Sequence, residues 1–162
     1  MRNTLLGPVA EAIEVAPSLA AGLVATAILL PANWVIRGAK EPLEAGRFAA
    51  FAGTVALTGL LLFAFLCARG VEWLSLLEGL RDGGSQALDD PVGLARNSAF
   101  AGLSAGHAVL VTLALFLLAF LILRASTDAA RLRGSVLVRG AAFLVHLVSL
   151  LWIGLLLAFY VL

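Results

Sequence analysis

Four stretches of this chain contain no Asp, Glu, Lys or Arg: Val15 to Ile36, Phe48 to Ala68, Asn97 to Leu123 and Gly140 to Leu162, each 21 to 27 residues long. A backbone inside hydrocarbon has no water to hydrogen-bond, so it must satisfy its own N–H and C=O groups, which a helix does within one segment. About 20 apolar residues are enough to span the hydrocarbon core. The four runs therefore predict four transmembrane helices, at about residues 15–36, 48–73, 97–124 and 138–162. The fold class that follows is an all-α polytopic membrane bundle, with residues 1–162 forming a single transmembrane domain.

Composition supports this assignment. Hydrophobic residues make up 62% of the chain and charged residues 13%, with a mean hydropathy of +1.04, whereas a soluble domain is roughly half apolar and about a quarter charged. Outer-membrane barrels are built from short alternating segments, and none occurs here. A net charge of +1 offers nothing to nucleic acid, and the single Cys67 rules out a disulfide within the chain. Arg2 followed by an apolar run superficially suggests a signal peptide. The run continues through Pro31 and Trp34 to Ile36, too far for a signal core, so it is expected to be a retained helix behind a short interfacial lead-in, Met1 to Glu14.

The few basic residues are unevenly placed. The first connection holds Arg37, Lys40 and Arg47, and the third holds Arg124, Arg131, Arg133 and Arg139. The opposite side has Arg2, Arg69, Arg81 and Arg96, diluted by Glu11, Glu14, Glu78, Asp82, Asp89 and Asp90. Basic loops face the cytoplasm, which puts both termini outside. The segment Gly79 to Val92, rich in Gly, Asp and Pro, reads as an exposed outer loop.

Polar residues within membrane helices mark the places where function or packing concentrates. Arg69 and Glu72 lie three apart and share a helical face, with Trp73 beside them. They are either a snorkelling interfacial pair or a structural or lipid-headgroup site. Gly102 and Gly106 have the small-xxx-small spacing that allows close helix approach. His107 and His146 both fall near the midplane of neighbouring antiparallel helices, by counting residues from the helix ends. Two such imidazoles could be axial ligands of a b-type haem, or each could hydrogen-bond across the bundle as buried polar groups must. No midplane carboxylate, Cys-x-x-Cys, phosphate loop or Ser/His/Asp arrangement is present, so no catalytic residue and no metal ligand set is expected in this chain.

Three ordered signatures resemble the cytochrome c oxidase subunit III family. Arg69-Gly70-Val71-Glu72-Trp73 is similar to the family's Gln-x-x-Glu-Trp/Tyr segment, and Ser104-Ala105-Gly106-His107-Ala108 to its His-x-x-His-Val segment. His146-Leu147-Val148-Ser149-Leu150-Leu151-Trp152, with Tyr160 eight residues beyond the Trp, is similar to its His-Phe-Val-Asp-x-x-Trp segment. The resemblance runs from about Ala20 to Leu162, so the chain looks like a shortened form comprising the family's last four helices. Glu72, Trp73, His107, His146, Trp152 and Tyr160 carry over. Arg69, Ser104 and Ser149 stand where the family has Gln, His and Asp, which puts the polar roles of those positions in question.

The resemblance implies a non-catalytic accessory subunit in a respiratory haem-copper oxidase complex of a bacterial-type inner (plasma) membrane. In the family these positions bind neither haem nor copper. Those cofactors are expected in a partner, the subunit I-like catalytic chain, and this chain would pack beside it and other oxidase subunits while holding phospholipid, with Arg69, Gly102 and Gly106 in lipid-contact or packing roles. A nitric oxide reductase accessory subunit and a small cytochrome b using His107 and His146 are the alternatives. A small transporter ranks lower, because Pro31 is the only internal helix breaker.

The charge asymmetry makes a direct prediction. Cysteines introduced into the first connection, residues 38–46, of intact spheroplasts should resist a membrane-impermeant thiol reagent, and labelling there equal to that of residues 83–90 would reverse the topology.

Overall fold

The computed structural model describes residues 19–82, 91–128, 132 and 135–161. Among the described residues five α-helices follow one another: α1 Leu19–Arg37, α2 Lys40–Glu44, α3 Phe48–Asp82, α4 Pro91–Asp128 and α5 Val136–Leu156, with a π-helical turn, Leu157–Val161, closing α5. Four of these helices are long and apolar enough to cross a membrane, and no strand occurs among the described residues. The lead-in Met1–Glu14, residues 83–90 of the second connection, Arg131 and Arg133 of the third, and Leu162 lie outside the described residues.

Each long helix buries one stripe of residues spaced alternately three and four apart. On α3 the stripe is Phe51, Val55, Thr58, Leu62, Phe65 and Arg69. On α4 it runs Phe100, Ser104, His107, Val111, Ala114, Leu118, Leu121 and Ala125. On α1 it is Gly22, Ala25, Leu29, Ala32 and Ile36, and on α5 it includes Ala141, Val145, Val148 and Trp152. A repeat of about 3.5 residues keeps a seam facing its neighbours along the whole helix, as in left-handed bundles. The helices close into a ring in which α1 packs on α3 and α5, and α4 packs on the same two. Only 22–28% of each apolar span is buried within the bundle, so most of the outer surface is left for lipid or another protein.

The connections depart from the sequence expectation in two places. The first contains α2, whose Pro42 and Leu43 are buried, followed by Gly46 at φ 73°, a left-handed conformation that favours glycine. The second is shorter than the expected loop from Gly79 to Val92, because α3 continues to Asp82 and α4 begins at Pro91. Proline is well suited to the first turn of a helix, where its missing N–H has no partner to lose. Beyond the membrane a helix still satisfies its own backbone, so turn-forming residues at 79–82 did not end it. At 38 residues, α4 is about 57 Å long at helical rise and must project beyond a hydrocarbon core about 30 Å thick.

Glycines differ sharply in what surrounds them. A Cβ on Gly22 would come within 2.7 Å of Leu156 Cδ1 and 2.9 Å of Tyr160 Cδ1, whereas one on Gly102 or Gly106 would meet nothing within 4 Å. The close approach of helices within this chain therefore occurs at Gly22, and the Gly102/Gly106 pair points out of the bundle. Gly22→Ala should cost about 1–3 kcal/mol by overpacking, while Gly102→Ala should not lower stability. Thermal unfolding of the two variants in detergent compares them directly.

Candidate functional site

Arg69 occupies the seam of α3 and is 6% exposed. A buried guanidinium is tolerated only where its charge is matched and its N–H groups are accepted, and three helices contribute to doing this. Glu72, one turn along α3, forms an ion pair with Arg69 through Oε2. Arg69 Nη1 also donates to the Tyr160 hydroxyl at 2.5 Å, and that hydroxyl donates to Glu72 Oε1 at 2.7 Å. The three side chains thus close a triangle that occupies both carboxylate oxygens. On the other side, Arg69 Nη2 reaches Ser104 Oγ of α4 at 3.5 Å.

Aromatic rings enclose the same guanidinium. Arg69 Cζ lies 4.7 Å from the centroid of Trp152, 5.6 Å from Phe100 and 5.8 Å from Tyr160, within the range at which ring quadrupoles attract a cation. The π turn explains how Tyr160 reaches this position. Eight residues after Trp152, a regular α-helix would leave Tyr160 about 80° out of phase. The wider final turn rotates it back, so Tyr160 stands edge-on to Trp152 with ring centroids 6.0 Å apart. Single π turns of this kind often occur at functional positions.

Beside the cluster lies a half-open cavity of about 340 Å³, bounded by α3, α4 and α5. Its walls are almost wholly apolar, and Arg69, Ser104 and His107 supply the polar groups. Trp73 and Trp152 line it as well. His107 is held by its Nε2, which donates to the Val148 carbonyl at 2.9 Å. Its ring packs edge-on to Phe65 at 5.6 Å and tilted against Trp152 at 5.9 Å.

A second polar line joins α1 to α5. Arg37 Nε donates to His146 Nε2 at 3.5 Å, which fixes that nitrogen as an acceptor. His146 Nδ1 then carries the proton and donates to Asn33 Oδ1 at 2.5 Å. Asn33 Nδ2 donates to Ser149 Oγ at 2.7 Å, and Ser149 donates onward to the Val145 carbonyl at 3.0 Å. One turn further along α5, Trp152 Nε1 donates to Thr26 Oγ1 of α1 at 2.9 Å. Trp152 therefore touches partners from α1, α3 and α4 at once.

The structure gathers Glu72, Trp152 and Tyr160 around Arg69, with His107 against Trp152 and Trp73 on the cavity wall, and it places His146 apart on the α1 side. The two histidines serve different interfaces. Both ring nitrogens of His146 are engaged by Asn33 and Arg37, and Nε2 of His107 is engaged by Val148. This geometry suits interhelical fastening rather than a shared iron. Ser104 and Ser149, whose roles were in question, do act as hydrogen-bond partners, to Arg69 and to Asn33. The sequence reading missed Asn33 and Thr26 as members of the interior network, and the contact of exposed Arg37 with His146. Asn33 is the one amide within the first apolar run, a signal that could have been followed. Among the described residues no cluster of three His, Cys, Asp or Glu side chains could hold a metal. No protein-family model matches this chain, and no curated protein matches it significantly.

The triangle makes its charge balance testable. Glu72→Gln leaves Arg69 buried without its counter-charge and should destabilise the protein by about 3–5 kcal/mol. Replacing both partners, as in R69M/E72M, should recover most of that loss in the same denaturation assay. Equal losses in the single and double variants would show that the pair contributes only packing.

Proposed function

We propose that this chain is a non-catalytic accessory subunit of a respiratory haem-copper oxidase complex, similar to cytochrome c oxidase subunit III, in the inner (plasma) membrane. The observation that carries the reading is the convergence of Glu72, Trp152 and Tyr160 on Arg69, with His107 packed against the same Trp152 ring. These resemblance positions come from three helices, and Tyr160 is 88 residues from the carboxylate it contacts. Four of the six positions that resemble the family thus lie together in this fold, while Trp73 lines the adjoining cavity and His146 serves the α1–α5 interface. The described interior polar side chains are directed at one another or at backbone carbonyls, which supports a fastening role for them.

In this reading the mechanism is physical. The polar seams hold four helices in fixed register, and the wide apolar exterior, including outward-facing Gly102 and Gly106, packs against the subunit I-like catalytic chain and phospholipid acyl chains. Haem and copper belong to that partner. Phospholipid headgroups are met by arginines near the cytoplasmic helix ends, such as Arg37 and Arg124, because the charge of Arg69 is matched inside by Glu72. A nitric oxide reductase complex would use the same surfaces. The two are told apart by the metal content of the partner.

Purification in a mild detergent with mass spectrometry of what accompanies the chain tests this reading. A large many-helix haem protein in stoichiometric amount is the expected result, with an iron and copper content that assigns the branch. A stable homo-oligomer without haem would overturn it. A visible haem spectrum from the isolated chain, lost in H107A and in H146A, would establish the cytochrome b alternative instead.

A further inference from the structure

The cavity between α3, α4 and α5 can be read more closely than as a generic lipid cleft. Gly70 and Ala105 are exposed at its edge, on facing sides of α3 and α4, so its mouth opens sideways between those helices at the level of the apolar spans. A ligand would therefore enter from the bilayer rather than from water. The volume of about 340 Å³ lies at the lower end of the range of about 300–1,000 Å³ for small-molecule sites.

The charge inside the cavity decides which ligand fits. Among the described residues lining it, Arg69 alone is permanently charged, and Glu72 already matches that charge through a direct ion pair. The guanidinium also lies against Trp152 and Phe100, and part of its hydrogen-bonding capacity goes to Tyr160 and Ser104. An anionic headgroup entering here would lose its hydration without finding an unmatched cation, a large penalty in an apolar setting. A guanidinium has five N–H donors, however, and charge neutralisation does not remove them. The site can therefore donate hydrogen bonds while carrying no net charge.

We propose that this cavity binds an uncharged amphiphile from the bilayer, with its apolar body against Phe65, Leu66 and Leu155. A carbonyl or hydroxyl oxygen at its inner end accepts from Arg69 and Ser104, and a hydroxyl can also donate to Nδ1 of His107, whose Nε2 N–H is taken by Val148. Acylglycerols and ring-bearing carbonyl compounds such as quinones share this chemistry. The site belongs to the chain itself and is independent of which complex the chain joins.

The protein has three tryptophans, and Trp34, 77% exposed, does not line the cavity. In a W34F background both remaining indoles, Trp73 and Trp152, do. The full-length chain in a neutral maltoside detergent is titrated with a monoacylglycerol brominated in its chain, and in parallel with the matching brominated lysophosphatidylglycerol. Saturable quenching by the uncharged probe is expected at a concentration about ten-fold lower than for the anionic one, a difference of about 1.4 kcal/mol. Competition by diacylglycerol or by a short-chain benzoquinone then identifies which source fits better.

Two variants make the result decisive. A Cβ on Gly70 would meet nothing within 4 Å, so G70L should fold normally, obstruct the mouth and abolish the saturable phase. E72Q exposes the charge of Arg69, so the preference should reverse, and the anionic probe should raise the melting temperature of that variant more than the uncharged probe does. Equal or tighter binding of the anionic probe to the W34F protein would overturn the proposal. So would quenching that is unsaturable, or that is the same in G70L. Failure of these titrations leaves the co-purification result untouched, and the reverse also holds.

Discussion

A positive charge held among apolar helices must be matched where it stands, and much of this bundle can be understood as the means of matching Arg69. Glu72 supplies the counter-charge from the same helix, but one carboxylate cannot also cover the faces of the guanidinium. Trp152 and Phe100 do that from α5 and α4, and Ser104 accepts a further hydrogen bond. Tyr160 completes the arrangement only because α5 ends in a π turn. The axial register of α3, α4 and α5 is thereby tied to one buried ion pair. Small sliding of any of the three would leave a charge or a hydroxyl without its partner.

Trp152 extends this constraint to the fourth helix. Its ring lies under Arg69 and beside His107, while its indole N–H reaches Thr26 on α1. The line Arg37–His146–Asn33–Ser149 then fastens α1 to α5 toward the other end of the bundle. In lipid there is no hydrophobic gain from joining two apolar helices, since the tails are as apolar as the side chains. Close packing, as at Gly22, and polar contacts of this sort supply the specificity. The two polar groups of contacts therefore do for this protein what a hydrophobic core does for a soluble one.

The number and type of the spanning elements were legible because charges are excluded from hydrocarbon. The pairing of Arg69 with Glu72 was also legible, from their spacing of three residues. Ser104, Asn33 and Thr26 were less so, because a single hydroxyl or amide in an apolar run has no distinguishing pattern. The second connection is shorter than its Gly and Asp residues suggest, because a helix projecting into water needs no apolar residues to continue. Gly102 and Gly106 illustrate the same limit. Their spacing announces a surface permitting close approach, but not whether that surface meets a helix of this chain, another protein or lipid.

By itself the sequence determined that this is a membrane protein of four spanning helices, because hydrocarbon tolerates neither open backbone groups nor scattered charge. It also carried the order and spacing of the residues on which the family resemblance rests. Only the tertiary structure decided which face of each helix turns inward. In water that choice is written as an apolar stripe on a polar helix. In a bilayer both faces are apolar, so the inward stripes of α3 and α4 become recognisable only when Arg69, Ser104 and His107 are seen to meet across them.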